Sequence, residues 1–211
     1  MQTGTRSGDV HTGAMSKLYV DLLKDTYNAE KQIIRALPKL AKAANSDELR
    51  TAIQDHLEVT RGHVERLEQV FEQMGKSATG KTCKGMQGLL EEGQEMMEED
   101  MEPAAMDAGL IASAQKVEHY EIAAYGTLRA LAQTQGDEEA ARLFEQTLEE
   151  EYEADKKLTS LAESSINVQA MDSDEDEEAR GMDEDEDETN GRAARSGSSR
   201  GAASKGRSSK R

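Results

Sequence analysis

The chain has no tryptophan, two prolines, two phenylalanines and one cysteine among its 211 residues. Cys83 cannot form an internal disulfide, so the fold does not depend on an oxidising compartment. Few aromatics and prolines, set against many Ala, Leu, Glu, Lys, Gln and Met, favour helices over sheets. An all-α domain is expected. No apolar run approaches the roughly 18 residues of a membrane span, and no secretory signal pattern is evident. These absences predict a soluble, cytoplasmic protein with no membrane partner. Positive charge is also short, with 26 Lys and Arg against 43 Asp and Glu and a formal charge of −17. That balance argues against nucleic-acid binding by the surface as a whole.

What is present is helical periodicity between two atypical ends. Residues 1–14 are Gly/Thr/Ser-rich and aperiodic, so they read as a disordered leader. Residues 15–167 read as one helical bundle. Its first helix is expected over Ser16–Ala43, carried by Leu18, Leu22, Leu23, Ile33, Ile34, Leu37 and Leu40, with Pro38 bending its last turns. Asn45 and Ser46, followed by Asp47 and Glu48, form a stop and a new N-cap with acids in the first turn. The second helix should run to about Met74 and end at Gly75. A shorter helix over Met86–Asp100 reads as a crossover between two helical pairs. Pro103 then suits the first turn of a third long helix reaching about Gln135. Gly136 ends that helix, and Asp137 caps a fourth that continues to about Ser164. Four long helices and one crossover helix make a ferritin-like four-helix count.

Residues 168–211 depart from this pattern. Twelve acids and Arg180 fall between Asp172 and Glu188, and seven basic residues with no acid follow. Such a tail buries no core and is expected to be disordered. Its basic end could engage DNA phosphates, although the acidic block before it competes for the same charges.

The chemistry lies in acids that occupy apolar stripes. On a wheel drawn at ~100° per residue, Glu30 falls among Thr26, Ile33, Ile34 and Leu37. Glu118 and Glu121 lie with Leu110, Ile111, Ala114, Tyr125 and Leu128. Glu151 lies with Phe144, Leu148, Leu158 and a second acid, Asp155. Burying bare carboxylates costs several kcal/mol, so something positive must meet them. Carboxylates converging from facing helices build two-metal sites in bundles, usually as Glu from two helices and Glu-x-x-His from the other two. On the second helix Glu58 is followed by Arg61 rather than His, and it projects away from the apolar stripe. His56 and His63 instead flank Thr60 on the inward edge as candidate nitrogen ligands, with His56 preferred. His119 reads as a surface residue. Tyr27, Tyr120 and Tyr125 read as core residues with satisfied hydroxyls, the methionines as gap fillers, and Cys83 as an incidental loop thiol.

Four segments, Asp25–Gln32, His56–Thr60, Gln115–Ile122 and Thr147–Glu151, resemble the YciE/YciF ferritin-like stress proteins, and Gln115–Ile122 is the most specific of them. The resemblance covers about residues 15–167. It implies a cytoplasmic homodimer with a dinuclear Fe or Mn centre held by Glu30, His56, Glu118, Glu121, Glu151 and Asp155. The expected function is a stress-response protein whose two metal ions react with peroxide or O2. A dimeric scaffold that binds partners through its charged tail is the alternative.

Overall fold

The computed structural model describes residues 13 to 173. The expected leader and most of the expected tail lie outside these residues. Five α-helices are present: α1 Ala14–Ala43, α2 Asp47–Gln73, α3 Lys84–Glu98, α4 Pro103–Gln135 and α5 Glu138–Leu161. No strand occurs among the described residues. A π-helical turn, Ala162–Ile166, follows α5, and helix resumes from Asn167 to Ser173. Helical structure therefore extends beyond the boundary that composition suggests, into the first residues of the acidic segment.

The ends of the helices follow from their caps. The Ser46 hydroxyl accepts from Leu49 N at 3.3 Å, and Asp137 Oδ1 accepts from Ala140 N at 3.0 Å. Each supplies an acceptor that a helix N-terminus otherwise lacks. Gly136 closes α4 in the left-handed region at φ 77°, a conformation that costs glycine nothing. Buried Asp107 in α4 accepts from Asn45 N at 2.8 Å and Ser46 N at 2.7 Å, pinning the α1–α2 turn to α4. Helix α1 is unbroken through Pro38.

α1 pairs with α2 and α4 pairs with α5; the pairs meet through α1 on α4 and α2 on α5, while α3 lies against α1 and α4. The apolar interior has two parts. One gathers Leu23, Leu67, Phe71, Leu128 and Phe144, and the other gathers Ile33, Leu49, Met86, Leu110 and Leu158. Between these parts the inward positions are acidic or imidazole-bearing. Glu30 follows Tyr27 and precedes Ile33 on α1, and Glu151 stands between Leu148 and Leu158 on α5. The bundle therefore encloses a charged layer with apolar packing above and below it. Leu18, read as part of the α1 stripe, is 45% exposed and does not join the core.

Cys83, read as an incidental loop thiol, has structural work. The Cys83 Sγ accepts from Met86 N at 3.4 Å as the N-cap of α3. It also lies 2.9 Å from the Tyr120 hydroxyl, which donates to Asp25 at 2.8 Å. Burial is the leading cause that pushes the Cys83 thiol pKa up, so this cysteine is held as an inert capping thiol.

Candidate metal centre

Helical spacing brings six side chains from four helices to the charged layer. Glu30 comes from α1, His56 and His63 from α2, Glu118 and Glu121 from α4, and Glu151 from α5. They form two overlapping groups, Glu30/His63/Glu121/Glu151 and His56/Glu118/Glu121/Glu151, with one donor atom per residue and all donors of a group within 4.8 Å of one another. Glu121 and Glu151 belong to both groups. Each group combines its own glutamate and imidazole with the two shared carboxylates, a donor set that could hold a metal ion. On α4 the three-residue step from Glu118 to Glu121 places both on one face. On α2 the seven-residue step from His56 to His63 places the rings two turns apart on one edge, 6.3 Å between centroids.

The layer is deeply buried, least so at His56. Glu30, His63 and Glu151 have fully buried side chains, Glu121 is 1% exposed, and His56 at 11% is the most open of the six. Among the described residues, no lysine or arginine pairs with any of the four carboxylates. Glu30 Oε2, Glu118 Oε2, both oxygens of Glu121, Glu151 Oε2 and His56 Nε2 lack hydrogen-bond partners, while His63 Nδ1 and Glu151 Oε1 face each other at 2.9 Å. Buried polar atoms are almost always satisfied, and these orphans all converge on one place. Oxygen-rich donors with one imidazole per position suit Fe or Mn better than zinc. The residues therefore fit the dinuclear group.

Electrostatics record the same crowding. Burial first, then the charge of Glu151, pushes the Glu118 pKa well above the usual carboxylate range. Burial followed by Glu151 and Glu30 does the same to Glu121. Burial works against a charged His63, yet the Glu150, Glu151 and Glu30 carboxylates outweigh it and hold the ring well above its ordinary value. His56 is moved down by burial, which nearby Glu151 only partly offsets. Burial would also raise Glu151, but the approach of His63 Nδ1 to 2.9 Å holds it down.

A supporting set surrounds the donors. His63 Nε2 lies 3.0 Å from Glu150 Oε2. Arg66 grips Glu150 through two bonds of 2.7 Å and donates to Thr147 Oγ1 at 2.8 Å. Burial alone would raise the Glu150 pKa, but His63 and Arg66 bring it down to about 2. Glu150 is thus an ionised acceptor for the Nε2 hydrogen, which turns Nδ1 into the layer, 2.9 Å from Glu151 Oε1. Across the layer, the buried Tyr125 hydroxyl donates to Glu30 Oε1.

Five of the six ligands expected from sequence, Glu30, His56, Glu118, Glu121 and Glu151, come together here. Asp155 does not join them. One turn beyond Glu151, it accepts from Gln115 at 2.9 Å and faces His119 Nε2 at 3.3 Å, which places it at the bundle surface. His63 takes part beside His56 rather than instead of it. Glu58 is exposed and pairs with Arg61, and His119 is a surface residue, as its helix position predicts. Glu150 and Arg66 escape a search restricted to inward stripes, because Glu150 lies about 100° around α5 from Glu151 and Arg66 stands at the edge of the α2 stripe. The His63-x-x-Arg66 spacing puts a guanidinium on the imidazole's side of α2, but nothing local pairs it with Glu150.

Comparison with known proteins gives the same fold. Residues 14–171 match the family described as Domain of unknown function (DUF892). The chain is 48% identical to Protein YciF of Escherichia coli over 154 residues, spanning 72% of this chain and 93% of that protein. The crystal structure of the E. coli stress protein YciF superposes with a TM-score of 0.71 at 46% identity, covering 74% of this chain and 99% of that one. YcfI of Rhodopseudomonas palustris gives 0.69 at 38% identity, covering 73% and 98%.

Proposed function

This chain belongs to the DUF892 family, and from that premise we propose that it is a stress-response protein built around a dinuclear Fe or Mn carboxylate centre that reacts with peroxide or O2. The observation that carries this reading is the convergence of unpartnered buried donors from four helices, in two groups that share Glu121 and Glu151. The E. coli relative is itself a stress protein.

In this reading Glu30 and His63 would hold one ion, Glu118 and His56 would hold the other, and Glu121 and Glu151 would be available to both. When bound, the pair of ions supplies the redox capacity towards peroxide or O2. The chain's own residues do the rest. Glu150 and Arg66 fix the His63 tautomer, Tyr125 orients Glu30, and the two apolar halves keep bulk water from the layer, where charge interactions are stronger.

Melting curves with and without Fe²⁺ or Mn²⁺ test this, because an ion that binds only the folded cluster stabilises it. Metal should raise Tm in the native protein, and the rise should collapse in Glu121→Ala and in Glu151→Ala. An equal rise in both variants would put the metal elsewhere and end the proposal.

A further inference from the structure

The charged layer is sealed on the Glu30 and Tyr125 side but opens towards His56 and Glu118. A cleft of about 200 Å³ lies there between α1, α2, α4 and α5. Its walls are apolar, formed chiefly by Leu37, Leu40, Ile53, Val59 and Leu158. His56 and Glu118 also line it, and Glu118 Oε2 and His56 Nε2 are buried atoms without partners. From this geometry we infer that the cleft is a binding site for a small uncharged apolar organic molecule, held against the His56/Glu118 side of the centre.

Three observations select that class. The first is size. O2 or peroxide needs little more than the room of one or two waters, ~30 Å³ each, whereas an apolar protein cavity of about 150 Å³ takes up benzene. The second is lining, because walls of leucine, isoleucine and valine offer dispersion and burial but few hydrogen bonds. The third is charge. Asp55, Glu150 and Glu153 stand around the cleft with Lys157 as the single cation, and Glu150 is already committed to Arg66. With Glu118, four carboxylates against one ammonium disfavour an anion, and an apolar throat disfavours a cation. A molecule of roughly six to eight carbon atoms fills the space. The inference deepens the proposed function by giving the centre an organic substrate class, and it rests on that reading for the closeness of the ligand to metal.

Toluene is a suitable probe. Methyl NMR of the metal-free, full-length protein should show saturable shifts at Ile53, Val59 and Leu158. In the loaded protein, the toluene protons should also broaden. Val59→Phe and Ala154→Phe fill the cleft from its edge and wall, and each should weaken toluene binding roughly tenfold or more with Mn²⁺ content unchanged. Val59 is partly exposed, so that variant decides the matter if Ala154→Phe does not fold. The inference is overturned if no methyl shift saturates, if the shifts centre instead on Leu89 and Leu90, which line a separate pocket between α1, α3 and α4, or if both filled variants bind toluene as the native chain does. Saturable cleft binding in a protein that takes up no Mn²⁺ would overturn the metal reading and, with it, the placement of the ligand beside metal. Mn²⁺ uptake without toluene binding would overturn the cleft alone.

Discussion

His63 Nε2 lies 3.0 Å from Glu150 Oε2, and that carboxylate is itself clamped by Arg66 through two bonds. The relationship fixes which imidazole nitrogen faces the charged layer. Glu150→Gln should leave the bundle folded but lower Mn²⁺ or Fe²⁺ affinity by about 10–100-fold, since an outer partner sets both the orientation and the basicity of a metal-binding histidine. Arg66→Ala should act in the same direction by releasing Glu150. Calorimetric titration measures both, and unchanged affinity in both would remove the supporting role.

The sharing of Glu121 and Glu151 predicts unequal losses of stoichiometry. Glu118→Ala or His56→Ala removes donors from one group only, so about one ion per chain should remain. Glu121→Ala strips a bridge from both groups and should lower the content towards zero. Asp155→Ala should retain both ions, because Asp155 is occupied by Gln115 at the surface. Elemental analysis of purified variants reads all four. Loss of metal in Asp155→Ala would restore the ligand set implied by the YciE/YciF resemblance.

The metal-free protein should become less stable as pH rises. Glu118 and Glu121 have folded pKa values well above their ordinary 4.5. Their contribution is present below 4.5 and is lost as pH climbs through the raised values. His63, held above 6.5, contributes in the same direction and is lost as pH rises through its own raised value. Glu150, brought down to about 2, acts oppositely, losing its contribution as pH falls from 4.5 through about 2. Tm of the metal-free chain should therefore fall as pH rises above the ordinary imidazole value of 6.5, beyond which the lowered His56 adds no opposing gain. Saturating Mn²⁺ should remove that fall or reverse it, because metal displaces protons from its ligands. A Tm that rises over this window without metal would contradict the protonation pattern.

Much of this arrangement is legible before any coordinates. Capping residues such as Ser46, Asp137 and Gly136 act locally, so they mark helix ends in the sequence as they do in the structure. Glu30, Glu118, Glu121 and Glu151 betray themselves by breaking apolar stripes, where nothing but a positive partner tolerates them. Asp155 shares a helix face with Glu151, but one further turn carries it past the layer, and the sequence period alone does not locate the edge of that layer. His56 and His63 compete for one role on a wheel. In the fold, two turns of α2 bring one histidine to each donor group, so both face the charged layer. Arg66 and Glu150 meet across two helices more than eighty residues apart, a contact that no local pattern encodes. The capping role of Cys83 depends likewise on where the α2–α3 connection is tied, through Asn28 accepting from Cys83 N at 2.8 Å.

Anomalous diffraction from crystals grown with Mn²⁺ tests the central claim most directly. The account predicts two peaks inside the bundle, roughly 3.5–4 Å apart as in other two-metal sites, both touching Glu121 and Glu151, one beside His63 and the other beside His56. Peaks confined to surface acids, or none within the layer at saturating Mn²⁺, would contradict it.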